Sequence, residues 1–187
     1  MKEIQVCNRC VMDTTDLDIV FDKQGNCNHC NAYLRNDFKI NDTKTKQLQK
    51  AVKQIKKAGK GKKYDCIIGV SGGVDSTYVA YAVKELGLNP LAVHLDNSWN
   101  SELAVANIQK IIDKLEIDLY TYVIDWNEFR DLQMSFLKAS TPGMEIPTDH
   151  AIMSILSKVA AKENIKYIIN GSNSSSEFIM AKSWSEG

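Results

Sequence analysis

The residues best equipped for chemistry are Ser71-Gly72-Gly73-Val74-Asp75-Ser76. They follow Tyr64 to Val70, an apolar run suited to a strand buried on both faces, and they lead into an apolar helical pattern starting near Val74. A strand, a tight loop and a helix N-terminus aim unpaired backbone N–H groups and the positive end of a helix dipole at one point, which suits phosphate. Gly72 and Gly73 let the backbone come close with no Cβ in the way. Ser71 and Ser76 add hydroxyl donors, and Asp75 suits a Mg²⁺ ion that offsets phosphate charge. The stretch matches neither G-x-x-x-x-G-K-[ST] nor G-x-G-x-x-G, which excludes the mononucleotide P-loop with its lysine and the dinucleotide fingerprint.

A second set of residues points to a metal. Cys7-Asn8-Arg9-Cys10 and Cys27-Asn28-His29-Cys30 are separated by sixteen residues, within the spacing of zinc ribbons. Each pair closes a turn on one ion, and four thiolates complete a tetrahedron with no open position, so the site reads as structural Zn²⁺. About 35 residues bury too little core to fold alone, and metal binding supplies the missing free energy. His29 reads as a spacer rather than a ligand. Cys66 falls in the middle of a strand and reads as a small core hydrophobe.

The elements that must position these groups follow from periodicity. Short β-branched runs at 64–70, 91–95, 119–124 and 166–170 alternate with helical patterns at 74–87, 101–115, about 127–138 and 149–163, as in a doubly wound α/β fold with a parallel sheet. Gly87 and Pro90 punctuate the first return turn, and Pro142, Gly143 and Pro147 are read as breaking the chain before the last helix. The expected organisation is a ribbon over 1–36, a basic helical linker over 37–63 and an ATP-binding α/β domain over 64–187. In the linker, Leu48, Ala51, Val52 and Ile55 form a narrow apolar stripe among lysines.

Lys and Arg together number 23, as do Asp and Glu, so the overall field gives no reason to expect a nucleic-acid partner. The ten lysines between Phe38 and Lys63 read as a solvated face. No apolar run is long enough to span a bilayer and the N-terminus has no signal core, which leads to an expected cytoplasmic location.

The Ser71 to Ser76 motif resembles the PP-loop of the ATP pyrophosphatase superfamily, an adenine nucleotide α-hydrolase-like fold, matching S-G-G-x-D-S without a gap. Two later stretches, His94-Leu95-Asp96-Asn97-Ser98-Trp99-Asn100-Ser101 and Pro147-Thr148-Asp149-His150-Ala151-Ile152, narrow it. With the leading ribbon, they make the chain similar to the N-acetyl sugar amidotransferases. That resemblance implies ATP, Mg²⁺ and ammonia as reactants, and conversion of an acetamido to an acetamidino group for surface polysaccharide or nonulosonic acid synthesis. It implies an N-acetylated, nucleotide-linked sugar as substrate, and glutaminase and cyclase-like subunits as ammonia suppliers. The family continues well past this chain's last residues, so the chain is read as a fragment or one half of a split gene.

By position, Asp96 and Asn97 lie just beyond the carboxyl end of the second strand, where ligands of open α/β sheets collect. The resemblance assigns them, with His94 and Trp99, to the adenosine or substrate side. Gly171 and Asn173 follow the fourth strand at the same edge, with Glu177 soon after. Asp75 and Asp149 are the catalytic candidates, and Asp149 has two readings: a Mg²⁺ ligand, or a cap on the helix it precedes. Two rival functions remain. A tRNA sulfur-transfer enzyme would need reactive cysteines beyond the loop, and no cysteine follows Cys66. A non-catalytic docking scaffold would have no use for an intact loop.

Overall fold

The computed structural model describes residues 4–35, 42–141 and 143–172. Asn173 and Glu177 lie outside the described residues. In the cysteine-bearing part, antiparallel bridges join Val6 to Asp13 and Phe21 to Cys27, and a helix, α1 (Asn28–Arg35), carries Cys30. The sequence reading takes the second cysteine pair for a turn alone and misses this helix. The reason is length: eight residues with one buried position give almost no period to detect.

The α/β unit, Lys46–Gly171, is the larger one. Its elements are α2 (Asp42–Gly59, whose first turn precedes the unit), β1 (Cys66–Gly69), α3 (Val74–Glu85), β2 (Pro90–Asp96), α4 (Glu102–Leu115), β3 (Asp118–Val123), α5 (Trp126–Lys138), α6 (Ile146–Lys162) and β4 (Ile168–Ile169). All pairings are parallel, in the order β3-β2-β1-β4. The doubly wound α/β expectation therefore holds.

Alternation along the central strands decides the two faces. Cys66, Ile68 and Val70 turn to one side, where Ala80 and Val83 of α3, Ile108 and Ile112 of α4 and Ile55 of α2 complete a core. Ile67, Leu91 and Val93 turn to the other, against Ile155, Leu156, Val159 and Ala160 of α6. Ile67, Ile68, Cys66 and Ala92 are fully buried. Among the described residues, no helix is long and apolar enough to cross a membrane.

Several boundaries differ from expectation: β1 is Cys66–Gly69 rather than 64–70, α3 ends at Glu85 rather than 87, and the last strand and last helix change too. The last strand is two residues, Ile168–Ile169, and its partner among the described residues is the short β1. The last helix begins at Ile146, three residues earlier than its pattern suggests. Pro147 sits in its first turn, where the N–H it lacks would have had no partner. Asp149 is consequently inside the helix, its N–H bonded to the Glu145 carbonyl at 2.9 Å, and it caps nothing.

Ile68 is fully buried at the centre of one core. Ile68→Ala is expected to lower stability by about 2–5 kcal/mol, read as a shift of the urea midpoint with zinc saturating.

Candidate functional site

The sheet order reverses at β1: the chain steps outward through β2 and β3, then returns to β1's free edge as β4. Ligands of open α/β sheets collect at such a point, beyond the carboxyl ends of the strands. Ser71 to Ser76 leave β1 there, and Gly171 leaves β4 beside them. A Cβ on Gly171 would lie 3.3 Å from the carbonyl carbon and oxygen of Asp75 and 3.4 Å from the Ser76 nitrogen. These two parts of the expected site are thus in contact.

The two loop glycines have different reasons to be glycine. Gly72 has φ +77°, and a Cβ there would stand 2.3 Å from the Ala104 carbonyl oxygen, inside the backbone of α4. Asn107 Nδ2 donates to the Gly72 carbonyl at 3.3 Å. Loop and helix are locked together, and sequence reasoning missed both Ala104 and Asn107. The signal was an amide one position before Ile108, beside the buried Ile108–Ile112 stripe of an amphipathic helix. Gly73, by contrast, is extended at φ −82° and ψ 166°. A Cβ there would meet only Ser71 Oγ, at 3.5 Å.

The loop's serines bond to one another. Ser76 Oγ donates to the Gly73 carbonyl at 3.1 Å and accepts from the Ser71 N–H at 3.2 Å. Ser71 and Ser76 hydroxyls are 3.2 Å apart, and the Gly73 N–H points to Ser71 Oγ at 3.4 Å. Gly73 is the residue before α3 and supplies no side-chain cap. The helices on either side of this edge differ: Ser101 caps α4 and Asp125 caps α5. The first turn of α3 therefore keeps its positive dipole end available. Val74 is exposed, and Asp75 is an exposed carboxylate with no described hydrogen bond or ion pair.

After β2 the chain folds by side-chain turns. Asp96 Oδ1 accepts the Ser98 N–H at 3.0 Å, Asn97 Oδ1 accepts the Trp99 N–H at 3.1 Å, and Ser98 takes φ +65°. Trp99 stands edge-on to Trp126 with ring centroids 5.6 Å apart, and its indole N–H donates to Gln133 at 2.9 Å. It is two-thirds exposed all the same. Trp99 is in the loop before α4, not in the helix, and it is anchored to α5. His94 is buried, with both ring nitrogens engaged. Asp149 is exposed on α6 and makes no described contact with the Ser71 to Ser76 loop.

The four cysteines form a separate centre. Their Sγ atoms all lie within 4.8 Å of one another, with Cys7 to Cys30 at 3.9 Å and Cys10 to Cys27 at 3.7 Å. Sulfurs at about 2.3 Å from a tetrahedral zinc stand about 3.8 Å apart, so the donor set fits that ion. Burial opposes ionisation of Cys7, but N–H groups directed at its Sγ, from Cys27 at 3.2 Å and Arg9 at 3.4 Å, bring the thiol down to about 6. Burial and the neighbouring sulfurs push Cys30 well above the usual thiol range, and burial raises Cys27 too. Deprotonating the full set therefore calls for a cation. His29 Nε2 is 2.7 Å from the buried Asp16 carboxylate, outside the cluster, as a spacer would be.

Comparison with known proteins follows the fold. The family model described as NAD synthase matches residues 43–179. An uncharacterized protein of Methanocaldococcus jannaschii is 27% identical over 168 residues, 88% of this chain and 58% of its own length. The 7-cyano-7-deazaguanine synthase of Sulfurimonas denitrificans is 31% identical over 126 residues, 60% of this chain and 55% of its own. The chain thus spans a little over half the length of these relatives. Among solved structures, the NMN synthetase of Francisella tularensis aligns with a TM-score of 0.50 at 24% identity, covering 67% of this chain and 53% of that one.

Two measurements check the geometry. Gly72→Ala is expected to cost more than about 2 kcal/mol, from left-handed strain plus the clash with α4, while Gly73→Ala stays within about 1 kcal/mol of the wild type, because its extended backbone suits alanine but a helix N-cap prefers glycine; thermal denaturation reads both. Elemental analysis should find one zinc per chain, lost in Cys27→Ser. Because protons compete for the same thiolates, zinc retention should fall as the pH drops from 7 to 5.

Proposed function

The chain belongs to the NAD synthase family, within the PP-loop ATP pyrophosphatase superfamily, and from that premise we propose that it adenylates the acetamido carbonyl of an N-acetyl sugar and substitutes ammonia. The observation that carries the adenylating part is the gap-free Ser71 to Ser76 loop at the reversal of strand order, opening on an uncapped helix end beside a free carboxylate. The sugar part is supported by the His94 to Ser101 and Pro147 to Ile152 stretches together with the ribbon.

An amide carbonyl is a poor electrophile because its nitrogen feeds electrons into it. Attack of the carbonyl oxygen on the α-phosphorus of ATP forms a C–O–P linkage and expels pyrophosphate. Ammonia then adds at carbon, and AMP leaves with the former carbonyl oxygen, giving the amidine. Ser71, Gly72, Gly73 and Ser76 would hold the pyrophosphate part through backbone N–H groups and hydroxyls. Asp75 would hold Mg²⁺, which when bound offsets phosphate charge. Asp96, Asn97 and Gly171 line the adenosine or substrate side in this reading, with Trp99 at its rim. These are effects of positioning and charge stabilisation, and no side-chain nucleophile is required.

The cysteine inventory supports an outside source of ammonia. Four of the five cysteines are in the cluster, and the fifth, Cys66, is fully buried with its thiol pushed up to about 12 by burial and by Asp65. Within these 187 residues no thiolate is left to open glutamine, or to carry sulfur to a tRNA. Ammonia from a separate glutaminase, delivered through a cyclase-like subunit, fits this inventory.

The test incubates the protein with ATP, Mg²⁺, ammonia and UDP- or CMP-linked N-acetyl sugars. AMP and an amidine product are expected, and ADP in place of AMP would overturn the assignment. Asp75→Asn should lower AMP formation by about 100-fold or more with no change in melting temperature, since the carboxylate is exposed and has no partner among the described residues. Gly73→Ala should weaken ATP binding despite its small effect on stability.

A further inference from the structure

His94 ends the buried part of β2, and its two nitrogens face different loops. Nδ1 is 3.0 Å from the Val70 carbonyl oxygen. That oxygen can only accept, so Nδ1 is the donor in this pair, and the amide N–H facing Nε2 makes that nitrogen the acceptor. Nε2 faces Asn100 Nδ2 at 3.4 Å, and the same amide donates to Asp96 Oδ1 at 3.2 Å. One imidazole thus stands between the root of the Ser71 to Ser76 loop and the turn that follows β2.

The Val70–Ser71 peptide is gripped at both ends. His94 holds its carbonyl, and Ser76 Oγ holds its N–H at 3.2 Å. A peptide unit is planar, so turning the carbonyl turns the Ser71 N–H with it. His94 therefore sets where the first N–H of the loop points, and through Asn100 it ties that direction to Asp96.

We propose that His94 is a positioning residue that holds the pyrophosphate-side loop and the adenosine-side turn in register, so that a nucleotide spanning both meets a preformed site. This rests on the adenylating reading above. A ligand confined to one loop gains nothing from the tether. One that spans both gains the ordering already done, because the second contact forms at high effective concentration only when the two halves are correctly spaced.

The experiment compares whole nucleotide with its parts. Dissociation constants for ATP, AMP and pyrophosphate, each with Mg²⁺, are measured by calorimetry for the wild type, His94→Asn, Asn100→Ala and the double variant. His94→Asn keeps an amide at the Nδ1 position but does not reach Asn100. Asn100→Ala breaks the same link from its half-buried side without opening the core, so a folded protein is available even if the histidine variant is unstable. Each single variant should weaken ATP about tenfold and leave AMP and pyrophosphate within about twofold, and the double variant should be no weaker than either single, because the two residues act in series. Parallel loss of ATP and a fragment, multiplying losses in the double variant, or unchanged ATP affinity would each overturn the tether alone. A wild type that binds neither fragment nor ATP would overturn the adenylating reading and the tether with it.

Discussion

β1 hydrogen-bonds on one edge to β2 and on the other to β4, and it is packed on both faces, so every other part of the α/β unit is placed by reference to it. With Cys66, Ile67 and Ile68 fully buried, a strand this short has no freedom of register: a slip of one residue would exchange the two core faces. The chain must then leave at the carboxyl end of β1, where the order of strands reverses, and a gap between neighbouring connections is unavoidable there. The Gly72 approach to Ala104 and the Gly171 approach to Asp75 close that gap on two sides with backbone alone.

What remains open is electrostatically distinct from its surroundings. Helices running antiparallel to the strands present their N-termini at the carboxyl edge of the sheet. Ser101 and Asp125 satisfy the first turns of α4 and α5 with their own side-chain oxygens. At α3 the preceding residue is glycine and the serines bond within the loop, so no side chain caps the first turn, whose one acid is Asp75. α6 likewise has no side-chain cap, so what sets α3 apart is the glycine loop before it, where the backbone can come closest.

The cysteine centre follows a different logic. Its few buried apolar residues, Cys7, Met12, Cys27 and Cys30, cannot hold about 30 residues together by apolar burial. Backbone N–H groups aimed at sulfur, and sulfurs at tetrahedral spacing, take over that role once a cation is bound. The Asp16 to His29 bond braces the second cysteine pair from outside.

The sequence by itself determined the elements whose evidence is local. Periodicity located four strands and the helices between them, because burial on alternating or helical faces leaves a repeating signature. The Ser71 to Ser76 motif and the cysteine spacing were legible because such turns demand particular residues at fixed offsets. Tertiary structure decided what depends on residues far apart in the chain. It shortened β4, whose partner among the described residues is the short β1, and drew α6 back to Ile146, which removes the capping reading of Asp149. It recruited Asn107 to Gly72, 35 positions away, and set His94 between Val70, 24 positions away, and Asn100. The physical reason is that a motif states which atoms a loop offers, while the direction in which those atoms point is fixed by packing against elements that the motif does not contain.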